Sequence, residues 1–242
     1  MCGIDLAWHC QKNSSAIAFG ELVNYELIIS AVIPRIKTVS EILKCIKKAP
    51  NLKGLAIDAS LIIPNQTGQR LCEQQLNTCY RSKKAGCHPT NKTLYPNADS
   101  VLLSQHLTQL GFYHLNNPNR GLWQLECYPH PALIEIFDLT ERHLYKKGSV
   151  TIKRQGQITL AKYLTLLQHS PILKLSVRES FQHHLEPDFI ATLKGQVLKQ
   201  NEDVLDSIIC AYIGGLYAIG VKNSCFGDTK TGYIYVPKKK CI

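Results

Sequence analysis

Two aspartates set the tightest limit on how this chain can fold. Asp5 lies in Gly3-Ile4-Asp5-Leu6-Ala7-Trp8 and Asp58 in Leu55-Ala56-Ile57-Asp58-Ala59, each run apolar on both sides of its acid. A lone carboxylate in a buried strand is costly unless a cation or a full set of hydrogen bonds compensates it. Neither position is a natural helix cap or a solvated face, so two such acids on neighbouring strands call for one shared cause. A divalent metal supplies it, because its charge makes the closeness of two carboxylates favourable.

The surrounding pattern makes the two strands neighbours. Cys2–Trp8, Ser15–Gly20 and Tyr25–Ile33 read as three antiparallel strands of a meander that Pro34 closes. Ser40 can cap a helix through Ile42, Leu43 and Ile46 to Ala49. If that helix is a crossover, the apolar run Gly54–Leu61 becomes a fourth strand parallel to the first. Residues 64–99 lack apolar periodicity and read as an insertion over the surface, with one helix around Gln69–Tyr80. A helix over Ser100–Leu110 precedes a strand, Leu122–Cys127, that carries Glu126. Three-to-four spacing of apolar residues then predicts helices over Ala132–Phe137, Thr159–Gln168, Pro187–Lys199 and Glu202–Ile219. A strand at Tyr233–Val236 and a basic tail, 238–242, end the chain.

Two further acid positions extend the pattern. Asp203 and Asp206 are three apart on one helical face. Placed at a helix start, Asp203 is equally explained by the macrodipole, and Glu126 equally by a strand-end surface charge. Carboxylate oxygens suit Mg²⁺ or Mn²⁺, which keep open positions for water and substrate phosphate. Two such ions activate a water and stabilise the leaving oxygen of an in-line displacement, which is phosphodiester hydrolysis. The chain has 28 Lys and Arg against 18 Asp and Glu, a net charge of +10. That charge attracts polyanions, of which nucleic acid is the commonest large one. Arg70, Lys146, Lys147, Lys153 and Arg154 can contact phosphates or form a solvated basic face. His130 and His183-His184 can be ligands or ordinary packed and surface residues.

With 242 residues, 45% of them hydrophobic, the chain can bury a core without disulfides, and a single domain over 1–242 is expected. Its ten cysteines form no C-x-x-C pair and read as reduced thiols; Cys72, Cys79, Cys87 and His88 are spaced too widely for a zinc knuckle. No apolar run reaches the roughly 18 to 20 residues of a membrane span. The N-terminus enters a strand directly with no signal core, so a cytoplasmic location is expected.

An acid on the first strand, an acid on the fourth and D-x-x-D on a C-terminal helix resemble the RuvC-like branch of the ribonuclease H superfamily. Finer details resemble the predicted-nuclease family known as domain of unknown function 429. They are Gly3–Trp8, Ile57-Asp58-Ala59-Ser60-Leu61 with Pro64 and Gly68-Gln69-Arg70, Glu126-Cys127-Tyr128-Pro129, Tyr145-Lys146-Lys147, Asp203–Ser207 and Gly232–Pro237. The chain departs from the family's usual pattern at Leu71-Cys72-Glu73 and at Ser207, and keeps the acids. The resemblance implies an α/β fold with a mixed five-stranded sheet of order 3-2-1-4-5 flanked by helices. It implies a metal-dependent nuclease acting on DNA or RNA, with Asp5, Asp58, Glu126 and Asp206 catalytic and Asp203 a further metal ligand. It also admits a homodimer. A nucleic-acid-binding module without turnover is the second reading. A phosphotransferase of the actin-like ATPase group fits poorly, since Ala7-Trp8-His9 stands where that group wraps phosphates in a glycine- and hydroxyl-rich turn.

Overall fold

The computed structural model describes residues 1–7 and 13–238. Trp8, which closes the expected first strand, most of the His9–Asn13 break, and the tail from 239 onward lie outside the described residues.

The meander comprises β1 (Cys2–Asp5), β2 (Ser15–Val23) and β3 (Glu26–Ile36). Asn24 and Tyr25 join β2 to β3, both with positive φ (49° and 60°), the tight turn whose twist matches that of paired strands. Pro34 does not close β3. It falls where the β2–β3 register shifts, so its missing N–H costs no ladder bond, and the strand runs on to Ile36. The helix α1 (Val39–Lys48) is capped by Thr38 rather than Ser40, because Glu41 reaches back to complete a capping box.

The chain continues through β4 (Gly54–Asp58), α2 (Leu71–Tyr80), α3 (Asp99–Gln109), β5 (Tyr113–His114), β6 (Trp123–Glu126) and α4 (Pro129–Phe137). Then come α5 (Val150–Leu166), β7 (Lys174–Val177), α6 (Glu179–Gln182), α7 (Pro187–Thr192), α8 (Gly195–Ala218), β8 (Asn223–Asp228) and β9 (Gly232–Pro237). The sheet order is β5-β6-β4-β1-β2-β3-β7, so the sheet has seven strands rather than five. The two extra strands are edges. β5 spans only two residues, too short for an alternation to register in sequence; β7 does alternate, through Leu173, Leu175 and Val177, so its strand signal was present in the sequence. β1 pairs antiparallel with β2 but parallel with β4, and β4 is parallel to β6.

Helices cover both faces. Ile4, Ile17, Leu55 and Ile57 face α1 and α3, while Ala56, Leu125 and the buried side of α8 meet on the other face. The hairpin β8–β9 packs through Ile234 and Val236 on Cys72, Leu76 and Tyr80 of α2 and Ile134 of α4.

Helix boundaries differ from expectation in the second half: α5 opens at Val150 rather than Thr159, because Ser149 caps it by accepting from Ile152 N. The run Pro187–Lys199 breaks after α7, and α8 begins at Gly195, whose φ of +58° suits glycine. Asp203 therefore stands more than two turns of ~3.6 residues inside α8, away from the N-terminal dipole. The polar stretch Gln196–Glu202 conceals that start, because only Val197 and Leu198 interrupt it.

Candidate functional site

Asp5 and Asp58 end their strands side by side. β1 and β4 are parallel and in register, Asp5 against Asp58, so both side chains leave one face at the carboxyl end of the sheet. Both are partly exposed there. α8 reaches them because Gly3 has no side chain: a Cβ at that position would lie 2.1 Å from Ala211 N and from Ser207 O. The helix thus sits directly on β1 and brings Asp203 and Asp206 over Asp5. The Asp203 carboxyl is within hydrogen-bonding reach of Asp5, and Asp206 is fully buried.

Cations and one phenol answer these acids. Tyr145 donates from its hydroxyl to Asp206 Oδ1 at 2.6 Å, and Lys146 Nζ lies 2.7 Å from Asp206 Oδ2. Lys199 Nζ bridges Asp203 Oδ1 at 2.6 Å and Glu202 Oε1 at 2.8 Å. Burial, then the charge of Asp206, push the Asp5 carboxyl well above the usual range, with Lys146 opposing. Burial raises Asp58 to about 7, against the pull of Lys146. Burial alone would lower the Lys146 ammonium, yet Asp206 and the neighbouring acids hold it well above its ordinary value. Four aspartates thus face two lysines, and the two that neither lysine grips, Asp5 and Asp58, are the ones pushed toward the protonated form.

Tyr145 and Lys146 belong to the loop from Asp138 to Ser149 between α4 and α5. Gly156 of α5 admits that loop, since a Cβ there would lie 2.1 Å from Leu144 O. His143 Nε2 bonds Gly156 O at 2.7 Å, and Arg142 N donates to Lys83 O at 2.8 Å, which fixes the loop at two points.

Glu126 is placed differently from the aspartates. Its register partner is Ile57, not Asp58, so it leaves the sheet on the opposite face. There Arg70 grips it with two bonds, Nη2 to Oε1 at 2.7 Å and Nη1 to Oε2 at 3.1 Å, and Leu61 N donates at 2.8 Å. Arg70 Nε also bonds Glu73 Oε1 at 2.8 Å, and Thr90 donates to Glu73 from both its N–H and its hydroxyl. All three charged residues are at most 3% exposed. This network moors the 64–99 segment to the ends of β4 and β6, and it leaves Arg70 fully occupied by two carboxylates, the Ser60 hydroxyl and the Ile62 carbonyl.

A cavity of about 430 Å³ opens at this edge between Asp58 and the moored segment. Lys146 and Lys147 line it, as expected for phosphate contacts, and so do His130 and Arg142. Lys153 and Arg154 do not, and Arg154 donates instead to Leu193 O across α5 and α7. A larger depression, about 790 Å³, lies at the other end of the sheet around Tyr25 and Asn119, and no charged side chain lines it. Among the described residues, no three His, Cys, Asp or Glu side chains are arranged to hold a metal ion as they stand. Asp206, Asp203 and Glu126 are each engaged by a protein cation.

The profile of the family described as Protein of unknown function (DUF429) matches residues 3–231. The chain belongs to this family. No curated protein matches this DUF429 chain, and no solved structure does. The match spans Asp5, Asp58, Glu126, Asp203, Asp206 and the Tyr145-Lys146-Lys147 loop together. No helix among the described residues is long and apolar enough to cross a membrane. Sequence reasoning did not pick out Arg142, and Lys199 entered only as the end of an expected helix. Neither has a local signal, since loop cations and helix-surface lysines are common in any basic chain.

Proposed function

We propose that this protein is a divalent-metal-dependent nuclease of ribonuclease H-like architecture, with Mg²⁺ or Mn²⁺ held at Asp5, Asp58 and Asp206 and with Asp203 beside them. One observation carries the reading: two register-paired aspartates end adjacent parallel strands, and α8 lays two more acids over them. The five strands β3-β2-β1-β4-β6, taken in that order, support the architecture.

The donor set fits a hard cation. Its groups are carboxylate oxygens, and the acids outnumber the lysines that neutralise them. A bound divalent ion would activate a water and stabilise charge on the leaving oxygen. The chain's own residues do the rest. Lys146 has a long flexible stem and can leave Asp206 to meet a phosphate oxygen, while the Tyr145 hydroxyl keeps Asp206 oriented. Lys199 holds Asp203 against Asp5 from the solvent side. Glu126 acts through Arg70 as the anchor of the 64–99 wall rather than as a ligand. The net charge of +10 brings a polyanion to this acidic pit.

The test is cleavage of single-stranded and duplex DNA and RNA with Mg²⁺ or Mn²⁺, comparing wild type with Asp5→Asn. Metal-dependent cleavage lost in the variant is the expected result. Nucleic acid bound by both proteins and cut by neither would instead make this a binding module on the same fold.

A further inference from the structure

We infer that the cavity beside Asp58 is a subsite for a phosphate group carried by a nucleotide at a strand end, held by Arg142, Lys147 and His130. The inference deepens the nuclease reading, since it names how a substrate is seated next to the aspartates.

The cavity carries a surplus of cationic donors after internal pairs are discounted. Arg70 is consumed by Glu126 and Glu73, and Lys146 by Asp206. Arg142 Nε is buried without a partner among the described residues. Lys147 is exposed at the rim. His130 is 8% exposed, and its Nδ1 also lacks a partner among the described residues. A buried polar atom left unpaired costs free energy that an incoming ligand can recover. Both residues line one cavity, and the neighbouring charges say which ligand fits.

Those neighbours are positive. Burial, then Lys146, Arg142, His143 and Lys147, push the His130 ring well below its ordinary range, so it is neutral. An anion seated here would accept from Arg142 and from a neutral His130 and would offset the crowding of cations. Phosphate offers several acceptor oxygens to such donors. His130 also stands in the first turn of α4, at the positive end of that helix. Pro129 and Pro131 flank it, so the His130 amide is the one N–H among those three residues.

Size and position select the carrier. About 430 Å³ is near the lower end of the ~300–1,000 Å³ that ligand pockets span, room for one nucleotide rather than a duplex. The wall formed by His88, Thr90 and Tyr95 of the moored segment closes one side. Asp58 lines the same cavity, so an internal phosphodiester next to a seated terminal phosphate would lie near the aspartates.

Calorimetry in EDTA reads the subsite without metal or turnover, with dithymidylate bearing a 5′- or a 3′-phosphate, the same dinucleotide bearing neither, and inorganic phosphate. One phosphorylated form is expected to bind at least about tenfold tighter than the unphosphorylated one. Arg142→Gln and Lys147→Gln should each remove most of that preference, and Lys147 is exposed enough that its replacement leaves the fold intact. Asp5→Asn should keep the preference, which separates this test from that of the metal site. Equal binding of all dinucleotides, or a preference unchanged in both basic-residue variants, overturns the proposal. Binding of inorganic phosphate alone overturns the assignment to a nucleotide.

Discussion

Arg70 stands between Glu73 and Glu126, and Arg70→Met would leave both carboxylates buried without their cation. Methionine keeps much of the length and volume of the side chain, so the loss is of charge and hydrogen bonds rather than of packing. Removing one partner of a buried pair costs about 3 to 5 kcal/mol, because an uncompensated charge remains. A domain has only about 5 to 15 kcal/mol in total, so the variant should fold but lose a large share of its margin. With a urea dependence near ~3 kcal/mol per M, the midpoint should fall by about 1 to 1.7 M. Adding Glu126→Gln should recover about 1 to 3 kcal/mol, since the amide has no charge to desolvate. The deficit should also shrink as pH falls from 8 to 5. Burial already raises the Glu126 carboxyl above its usual range even beside Arg70, so without Arg70 it takes up a proton more readily in the folded state. A variant as stable as wild type to within about 1 kcal/mol would show that these charges are not buried and paired as described.

Three more expectations follow from single contacts. In Gly3→Ala the new methyl meets the backbone of α8 at Ala211 and Ser207, and about 1 to 3 kcal/mol should be lost, a fall of about 2 to 12 °C in melting temperature. An unchanged melting temperature would mean that α8 does not ride on β1. Tyr145→Phe removes the donor to buried Asp206 Oδ1 and should cost about 1 to 3 kcal/mol in urea unfolding, and no loss would refute that bond. Burial raises Asp58 to about 7, whereas an unfolded aspartate titrates near ~3.9, so between pH 8 and 5 the folded state takes up a proton that the unfolded state does not. Without divalent metal, wild-type stability should therefore rise as pH falls through that window, and Asp58→Asn should flatten the rise; matching pH profiles for the two proteins would contradict this.

The aspartates were legible because each breaks an otherwise apolar strand, and the parallel register of β1 and β4 then puts them together. The middle of the sheet was legible for the same reason, through long runs of consistent pattern. Register is where the reading of Glu126 ran out. A strand-end acid looks alike whichever face it leaves, and pairing with Ile57 rather than Asp58 decides the face. Asp203 and Asp206 were found, but their place inside α8 was hidden by its polar opening turns. Arg70 drew notice as a phosphate contact, yet its charge is met by Glu73 in the next turn and by Glu126, 56 residues on, a pairing that only the tertiary fold makes. Arg142 and His130 meet only once the loop before α5 folds back over α4, a tertiary fact with no local pattern.

The measurement closest to the central claim is Mg²⁺ and Mn²⁺ binding by calorimetry, comparing wild type with the Asp5→Asn, Asp58→Asn double variant. Wild type should bind metal and release protons near neutral pH, because Asp58 is partly protonated there, and the double variant should lose both signals. No binding by wild type, with or without a short oligonucleotide, would contradict the metal-dependent account and leave the aspartates and their lysines as a closed ionic cluster.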